Sequence, residues 1–535
     1  MFGKGVCFTD TILLQGGAVV DGTAGQSFSA DVAVQNGKIA AVGELGQWHA
    51  DMVLDCTGKV ITPGFIDIHR HGDAAAFRPC YGEAELRQGL TTVINGNCGL
   101  SAAPFSETYG DAIRRYLLPI TGKLPPQMPA DSLARYFSAL PAAPIHQGML
   151  VGSGTLRASA AGYGLLHLTD SHYTSIHRAM EQALADGALG VSLGMGYAPE
   201  CFYTTAELIR ALAPIANTDI PLTVHMRQEG AGVCESVREM ISVAETLRCP
   251  LHISHLKAMG HDNWGSKIPE ALRLLEQAKQ RGLDVSCDVY PYTAGSTQLL
   301  HILPPDFLEG GLDRTLARLQ DTEARRELTQ RIESGEGFDN IAALAGWNGI
   351  YLTSLHLPEH QRYLGKNLAE IADEMELPPL DACCELLIRE RGQITMIDFM
   401  ASENDITAIL QSDLSCLISD STYPTVGMPH PRVFGTFPRL IQHFVREKGV
   451  LTLEQAVQKM TDAPAKALRL RGKGRIAVGM DADICVFDPE AISETATYTD
   501  PQRLAEGMTY VFVGGKIALQ DEKMTEERAG TVIRR

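Results

Sequence analysis

The sequence predicts an α/β protein whose central part is a closed (β/α)8 barrel of the TIM type. Apolar strands alternate with amphipathic helices through the middle of the chain, and both ends are rich in short strands. The 535 residues also exceed the roughly 250 to 300 that one hydrophobic core supports, so a second, smaller domain is expected. Strands joined by helices form a parallel sheet, and the number of units favours a closed barrel over an open sheet.

Both ends of the chain have the pattern of a small β-sandwich domain. Short apolar strands are predicted at residues 11–14, 18–20, 31–34, 39–42, 52–55, 483–488 and 510–517. Asn36-Gly37 supplies a hairpin turn between two of them. We therefore expect one discontinuous β domain built from residues 1–62 and 472–535.

The barrel is predicted over residues 63–471. Its strands are expected at residues 63–71, 91–94, 149–152, 190–193, 221–224, 251–254, 283–286 and 414–420, with helices such as 175–186 and 268–281 between them. A polar, Glu-rich segment from about 305 to 410 breaks this rhythm. It predicts a helical insertion before the last barrel strand.

Charge and composition exclude several classes of partner. The net charge of −18 argues against a nucleic acid or an anionic membrane, although it allows a small anionic substrate. The start lacks an apolar leader and no apolar run approaches the roughly 18 residues that span a bilayer, so a cytoplasmic protein is predicted. Twelve cysteines without a Cys-x-x-Cys motif indicate reduced thiols. The sequence leaves the oligomeric state open.

The first barrel strand ends in two histidines, His69 and His71. Residues i and i+2 of a strand point to the same side, so the two imidazoles face a common point and form half of a metal site. Taken alone, the pair could equally be two ordinary polar residues. The remaining strands decide between these interpretations.

Other strand ends supply the residue types that complete such a site. Cys98 follows the second strand, and Asp420 closes the last one. His225 and His255 end two strands about thirty residues apart, which is one βα unit. His252 has the opposite parity to His255, so we expect only His255 to face the barrel axis. A buried, inert cysteine is the alternative for Cys98, but its Asn and Gly neighbours indicate a polar strand end.

A carbamylated lysine on a middle strand would be another bridge between two metal ions. Residues 124–256 contain no lysine, so this bridge is excluded there and Cys98 remains as the bridging thiolate. Residues 190–194 read GVSLG and match the nucleophile-elbow pattern of serine hydrolases. That pattern needs a helix directly after the serine, and the glycines and proline that follow Ser192 disfavour one.

Several motifs together resemble the D-aminoacylase (N-acyl-D-amino-acid deacylase) branch of the amidohydrolase superfamily. They are PGFIDIHRH at 63–71, NCG at 97–99, HMRQE at 225–229, HLK at 255–257, YPY at 290–292, SD at 419–420, PHPR at 429–432, GTF at 435–437 and DAD at 481–483. The resemblance runs from near residue 10 to the terminal Arg-Arg. Two stretches depart from the family pattern, residues 151–153 and 195–203, which puts the substrate preference in question more than the chemistry.

The resemblance implies a zinc-dependent hydrolysis of N-acyl amino acids, of D configuration by this likeness alone. It implies that one or two zinc ions are held by His69, His71, Cys98, His225, His255 and Asp420. It also implies that Lys257, Tyr290, Arg432 and Tyr197 hold the carboxylate of a small-molecule substrate. Asp420 would take a proton from the attacking water and return it to the leaving amine, while zinc lowers the pKa of that water.

Two alternatives stay open at this point. A cyclic-amide hydrolase of the hydantoinase or dihydroorotase type uses the same barrel, although the missing lysine argues against it. A noncatalytic scaffold relative is the other alternative. A scaffold would be expected to have lost metal ligands, whereas all six positions are filled here.

Overall fold

The computed structural model describes residues 11–164, 167–335 and 337–535. Residues 1–10 of the predicted β domain therefore lie outside the described residues. Eight parallel strands form a barrel in the middle of this chain, with the third strand interrupted at Leu150. In barrel order they are Phe65–Asp67, Leu90–Asn95, His146–Met149 with Val151–Gly152, Val191–Gly194, Leu222–His225, Leu251–Ile253, Val285–Val289 and Ser415–Leu417.

The first and last strands close the ring at a seam that we call the barrel seam. Across it, the backbone N–H of Asp420 donates to the carbonyl of His69 at 2.9 Å, and the N–H of His71 donates to the carbonyl of Ser421 at 2.9 Å. Neighbouring strands elsewhere in the ring pair in parallel register, for example Val224 opposite Ile253. The prediction of a closed (β/α)8 barrel is thus confirmed.

Amphipathic helices cover the outside of the barrel. The helix Asp170–Ala185 buries Tyr173, Ile176, Met180 and Ala183, which are spaced by three or four residues and so lie on one face. The helices over the first six barrel units are Glu83–Arg87, Gly110–Thr121, Leu133–Ala139, Ser153–Ala161, Asp170–Ala185, Thr205–Ala211, Val233–Leu247 and Lys267–Gln280. After the last strand follow Arg432–Arg439, the π-helix Leu440–Glu447, Leu453–Met460 and Asp462–Ala467.

Strands from both ends of the described chain form one nine-stranded sheet. They are Thr11–Val19, Phe28–Gln35, Lys38–Gly43, Met52–Asp55, Val60–Pro63, Ile484–Phe487, Met508–Val513, Lys516–Gln520 and Lys523–Met524. The two ends of the chain join where Val60–Pro63 pairs with Ile484–Phe487. The strands predicted at 11–14 and 18–20 are one strand with a bulge between Leu14 and Gly17. The strand predicted at 510–517 is two strands, because Gly514 and Gly515 turn the chain with positive φ angles.

The segment before the last barrel strand contains more than helices. Its helices are Leu312–Gln320, Thr322–Ser334, Ile341–Ala345, Leu368–Met375, Pro379–Arg389 and Glu403–Gln411. The strands Ala294–Gln298, Ile350–Ser354 and Thr395–Phe399 add an antiparallel sheet, which we call the insertion sheet. The predicted helical insertion is present, but its Glu-rich composition concealed two short apolar strands. In the described chain we find no helix with the length and apolar character needed to cross a membrane.

Candidate metal centre

Six predicted site residues meet at the carboxyl ends of the barrel strands. His69, His71 and Cys98 form one group whose donor atoms lie within 4.8 Å of one another. Cys98, His225 and His255 form a second such group, so Cys98 is common to both. Asp420 is next to the first group, with Oδ1 at 3.4 Å from His69 Nε2 and at 3.2 Å from His71 Nε2. The structure therefore brings all six together.

Three of these six residues have a left-handed backbone. The φ angles of Cys98, His255 and Asp420 are 52°, 35° and 51°. Each such conformation of a non-glycine residue costs of the order of 1 to 3 kcal/mol and persists only where the surrounding structure enforces it. Each of the three residues comes two or three positions after the end of a barrel strand. This strain is typical of a functional site.

The donor atoms suit zinc in type and in spacing. Imidazole nitrogen, thiolate sulfur and carboxylate oxygen are the three zinc ligands of proteins, and two ligands of a tetrahedral ion are about 3.5 Å apart. His69 Nε2 is 3.2 Å from Cys98 Sγ, and Cys98 Sγ is 3.5 Å from His255 Nε2. His71 Nδ1 is buried without a hydrogen-bond partner. We conclude that the residues present fit a metal ion.

The surroundings favour the ionised forms of Cys98 and Asp420. Burial raises the pKa of the Cys98 thiol, but His69 and contacts from His225 and His255 outweigh it, so the pKa lies well below its ordinary value. Burial likewise opposes ionisation of Asp420, yet Arg432 at 3.0 Å holds the pKa of its carboxyl well below the usual range. Thiolate and carboxylate are the forms that bind metal ions.

A buried carboxylate that the sequence analysis missed orients two of the histidines. Asp288 Oδ2 lies 3.3 Å from His69 Nδ1 and 2.8 Å from His252 Nε2, and its Oδ1 accepts the backbone N–H of His255. Burial works against its charge, but His69 and the bond from His252 lower the pKa of Asp288. A carboxylate on the second nitrogen of a ligating histidine fixes the ring and its tautomer. His252 itself contacts Asp288 and Ser286, whereas His255 contacts Cys98. This agrees with the prediction that only His255 faces the barrel axis.

Glu229 performs the same task for His255. Its Oε1 is 2.9 Å from His255 Nδ1, and its Oε2 is 2.7 Å from Lys257 Nζ. Despite complete burial, Lys257 and His255 lower the pKa of the Glu229 carboxyl. Glu229 is part of the HMRQE motif, but the sequence analysis gave it no role. Its position four residues after a strand-end histidine was the available signal.

A cavity opens over the donor groups, and three of the four predicted substrate residues line it. These are Tyr197, Lys257 and Tyr290. Arg432 lies behind Asp420 instead, fully buried, with Nη2 donating to the carbonyl of Ser296 at 3.1 Å. Its Nε is buried without a hydrogen-bond partner. The cavity also contains Asp398 from the insertion sheet, which the sequence analysis missed.

The serine of the GVSLG pattern does not form a nucleophile elbow. Ser192 is buried within the strand Val191–Gly194, where its hydroxyl donates to the carbonyl of Gly96 at 2.6 Å and accepts the N–H of Gly99 at 3.1 Å. These bonds hold the loop before and after Cys98. In the divergent segment 195–203, Tyr197 reaches the cavity, whereas Glu200 is buried and accepts the N–H of Gly194 at 2.7 Å.

Comparison with known proteins gives consistent matches over nearly the whole chain. The model of the amidohydrolase family matches residues 52–519. D-aminoacylase of Alcaligenes xylosoxydans xylosoxydans is 34% identical, with 98% of this chain and 97% of that protein covered. N-acyl-D-glutamate deacylase of the same organism is 33% identical, with 98% and 96% covered.

A solved structure agrees with these sequence matches. It is the N-acyl-D-glutamate deacylase of Bordetella bronchiseptica, complexed with zinc and a phosphonate inhibitor that mimics the tetrahedral intermediate of the reaction. The two chains superimpose with a TM-score of 0.80 at 29% identity, and the match covers 98% of this chain and 100% of the other.

Proposed function

Because the chain belongs to the amidohydrolase family, we propose that it is a zinc-dependent hydrolase that cleaves the amide bond of N-acyl-D-amino acids. The observation that carries this proposal is the pair of donor groups that share Cys98 at the carboxyl end of the barrel. Two relatives that match over nearly the full length of both chains are a D-aminoacylase and an N-acyl-D-glutamate deacylase. The products are a carboxylate and a free amino acid.

The proposed ligands of one or two zinc ions are His69, His71, Cys98, His225, His255 and Asp420. When bound, zinc polarises the scissile carbonyl and lowers the pKa of a water molecule. Asp420 accepts the proton of the attacking water and returns it to the leaving nitrogen. Arg432 keeps Asp420 ionised and fixes its position through the 3.0 Å ion pair.

The carboxylate of the substrate is held on the cavity side of the centre. Lys257 and Tyr290 line that wall, with Lys257 Nζ 6.0 Å from the centre of the Tyr290 ring. Arg432 also lies near this ring, with Cζ at 5.0 Å from its centre, and its Nε has no hydrogen-bond partner among the described residues. Tyr197 packs on His225 and also lines the cavity. A cytoplasmic location stays a prediction from the sequence.

Metal analysis followed by a screen of paired D and L substrates tests the proposed function. We expect one to two zinc ions per chain and hydrolysis of N-acetyl-D-amino acids at least about 100-fold faster than of their L counterparts. The D-hydantoins serve as control substrates. Turnover of hydantoins without turnover of N-acetyl amino acids would favour the cyclic-amide alternative, and protein purified without chelator but free of zinc would favour the scaffold alternative.

The variant Tyr290→Phe tests the carboxylate site. The hydroxyl of Tyr290 makes no hydrogen bond with the described residues, so its removal leaves no partner unpaired. A hydrogen bond to a charged group contributes about 1.5 to 3 kcal/mol, and a neutral one about 1 kcal/mol. We expect KM to rise about 10- to 100-fold for N-acetyl-D-methionine but only about 5-fold for its amide. Equal increases for acid and amide would contradict this role.

A further inference from the structure

Asp398 is a buried carboxylate in the cavity wall that the proposed reaction does not use. It lies on the strand Thr395–Phe399 of the insertion sheet, its side chain faces the cavity, and the residue is 1% exposed. Neither carboxylate oxygen has a hydrogen-bond partner on another of the described residues. Because a buried charge without a partner is costly, such a group calls for a partner, which a bound ligand can supply.

The cations near Asp398 are already paired with other carboxylates. Lys257 Nζ is 2.7 Å from Glu229, and Arg432 Nη1 is 3.0 Å from Asp420. In the described chain no basic side chain lies within 4 Å of Asp398. Burial raises the pKa of Asp398 to about 6 although Lys257 and Arg432 act against this. At pH 7.5 most molecules therefore carry a negative charge on this wall.

A glycine keeps space open beside this carboxylate. Gly295 is the residue directly opposite Asp398 in the insertion sheet. A Cβ atom on Gly295 would lie 2.9 Å from Asp398 Oδ1 and 2.3 Å from the terminal methyl group of Met400. Any side chain at position 295 would thus crowd the carboxylate. Asp398, Gly295 and Met400 all line the cavity.

We propose that Asp398 selects substrates with a cationic side chain, such as N-acyl-D-lysine or N-acyl-D-arginine, by pairing with their ammonium or guanidinium group. The proposal rests on the proposed deacylase function and specifies the substrate of that same site. An ionised carboxylate in this wall also disfavours acidic side chains by repulsion. The substrate range would then differ from that of the relatives that act on N-acyl-D-glutamate.

The test compares kcat/KM for four substrates at pH 7.5 with the zinc-loaded full chain. They are Nα-acetyl-D-lysine, Nα-acetyl-D-arginine, N-acetyl-D-glutamate and N-acetyl-D-norleucine, the last being the lysine derivative without its ammonium group. We expect the two basic substrates to exceed norleucine at least 10-fold, and glutamate to be the poorest. In Asp398→Asn, which keeps the side-chain volume, the lysine-to-norleucine ratio should fall at least 10-fold.

A matched control is Asp405→Asn. Asp405 is also a buried aspartate with a pKa raised by burial, but it binds the N–H of Gly265 and does not line the cavity. Its variant should keep the wild-type ratio. A wild-type enzyme that prefers norleucine or glutamate, or an Asp398→Asn enzyme with an unchanged ratio, would overturn the proposal for Asp398 and leave the deacylase function standing. If the enzyme hydrolyses none of the N-acetyl-D-amino acids, both the proposal for Asp398 and the deacylase function are overturned.

Discussion

Replacing Cys98 by alanine is expected to lower kcat/KM for N-acetyl-D-amino acids by at least about 1,000-fold. Cys98 belongs to both donor groups, so its loss removes a ligand from a zinc ion held by either group. A bound metal ion contributes several kcal/mol to such a reaction, and each 1.36 kcal/mol corresponds to a factor of ten in rate. Zinc content measured by mass spectrometry should fall together with activity.

The control for this variant is Cys416→Ala. Cys416 is likewise buried, on the barrel strand Ser415–Leu417, but its side chain is in an apolar cluster and belongs to neither donor group. Cys416→Ala is expected to retain zinc and more than half of the activity, while thermal unfolding followed by circular dichroism verifies that both variants fold. Full activity in Cys98→Ala would contradict the proposed metal centre.

The variant Asp420→Asn is expected to lower kcat by about 100- to 10,000-fold, the range of general acid–base catalysis. Asparagine matches the size of aspartate but neither accepts a proton at neutral pH nor pairs with Arg432. Zinc content distinguishes the two contributions of Asp420. A variant that keeps its zinc and loses activity assigns proton transfer to Asp420, whereas a parallel loss of both assigns ligation alone. Wild-type kcat would contradict either role.

The barrel and the strand-end residues were predictable because they depend on local patterns. Strand residues alternate between two sides, and the carboxyl ends of parallel strands meet on one side of a barrel. His69, His225 and His255 could therefore be placed near one another although up to 186 residues separate them in the chain. The fold class and the family resemblance are confirmed by the structure and the comparisons.

Asp288 was missed because the predicted strand ended too early. The prediction placed that strand at 283–286, whereas it spans Val285–Val289 and continues through Cys287 and Asp288. Aspartate is depleted in strands, so the local pattern gave no reason to extend the strand through Asp288. In the barrel, hydrogen bonds to both neighbouring strands outweigh that preference. A strand end at Val289 would have placed Asp288 beside the histidines.

Asp398 could not be placed from sequence for a different reason. It belongs to the insertion sheet, whose strands are 40 and 51 residues apart in the chain and pair antiparallel with one another. No local pattern gives the position of that sheet against the barrel. Asp398 reaches the cavity only through tertiary packing. The residue that we infer to select the substrate therefore does not follow the strand-end pattern.

The barrel seam has a consequence for when the protein acquires its metal. The carboxylate of Asp420 meets His69 and His71 only after strand Ser415–Leu417 has joined strand Phe65–Asp67. During translation, a ribosome-bound chain that is shorter than about 420 residues has both histidines but not this partner. The full set of six proposed zinc ligands therefore exists only once the last barrel strand has been made, and we expect a chain truncated before Asp420 to hold zinc less firmly than the full chain.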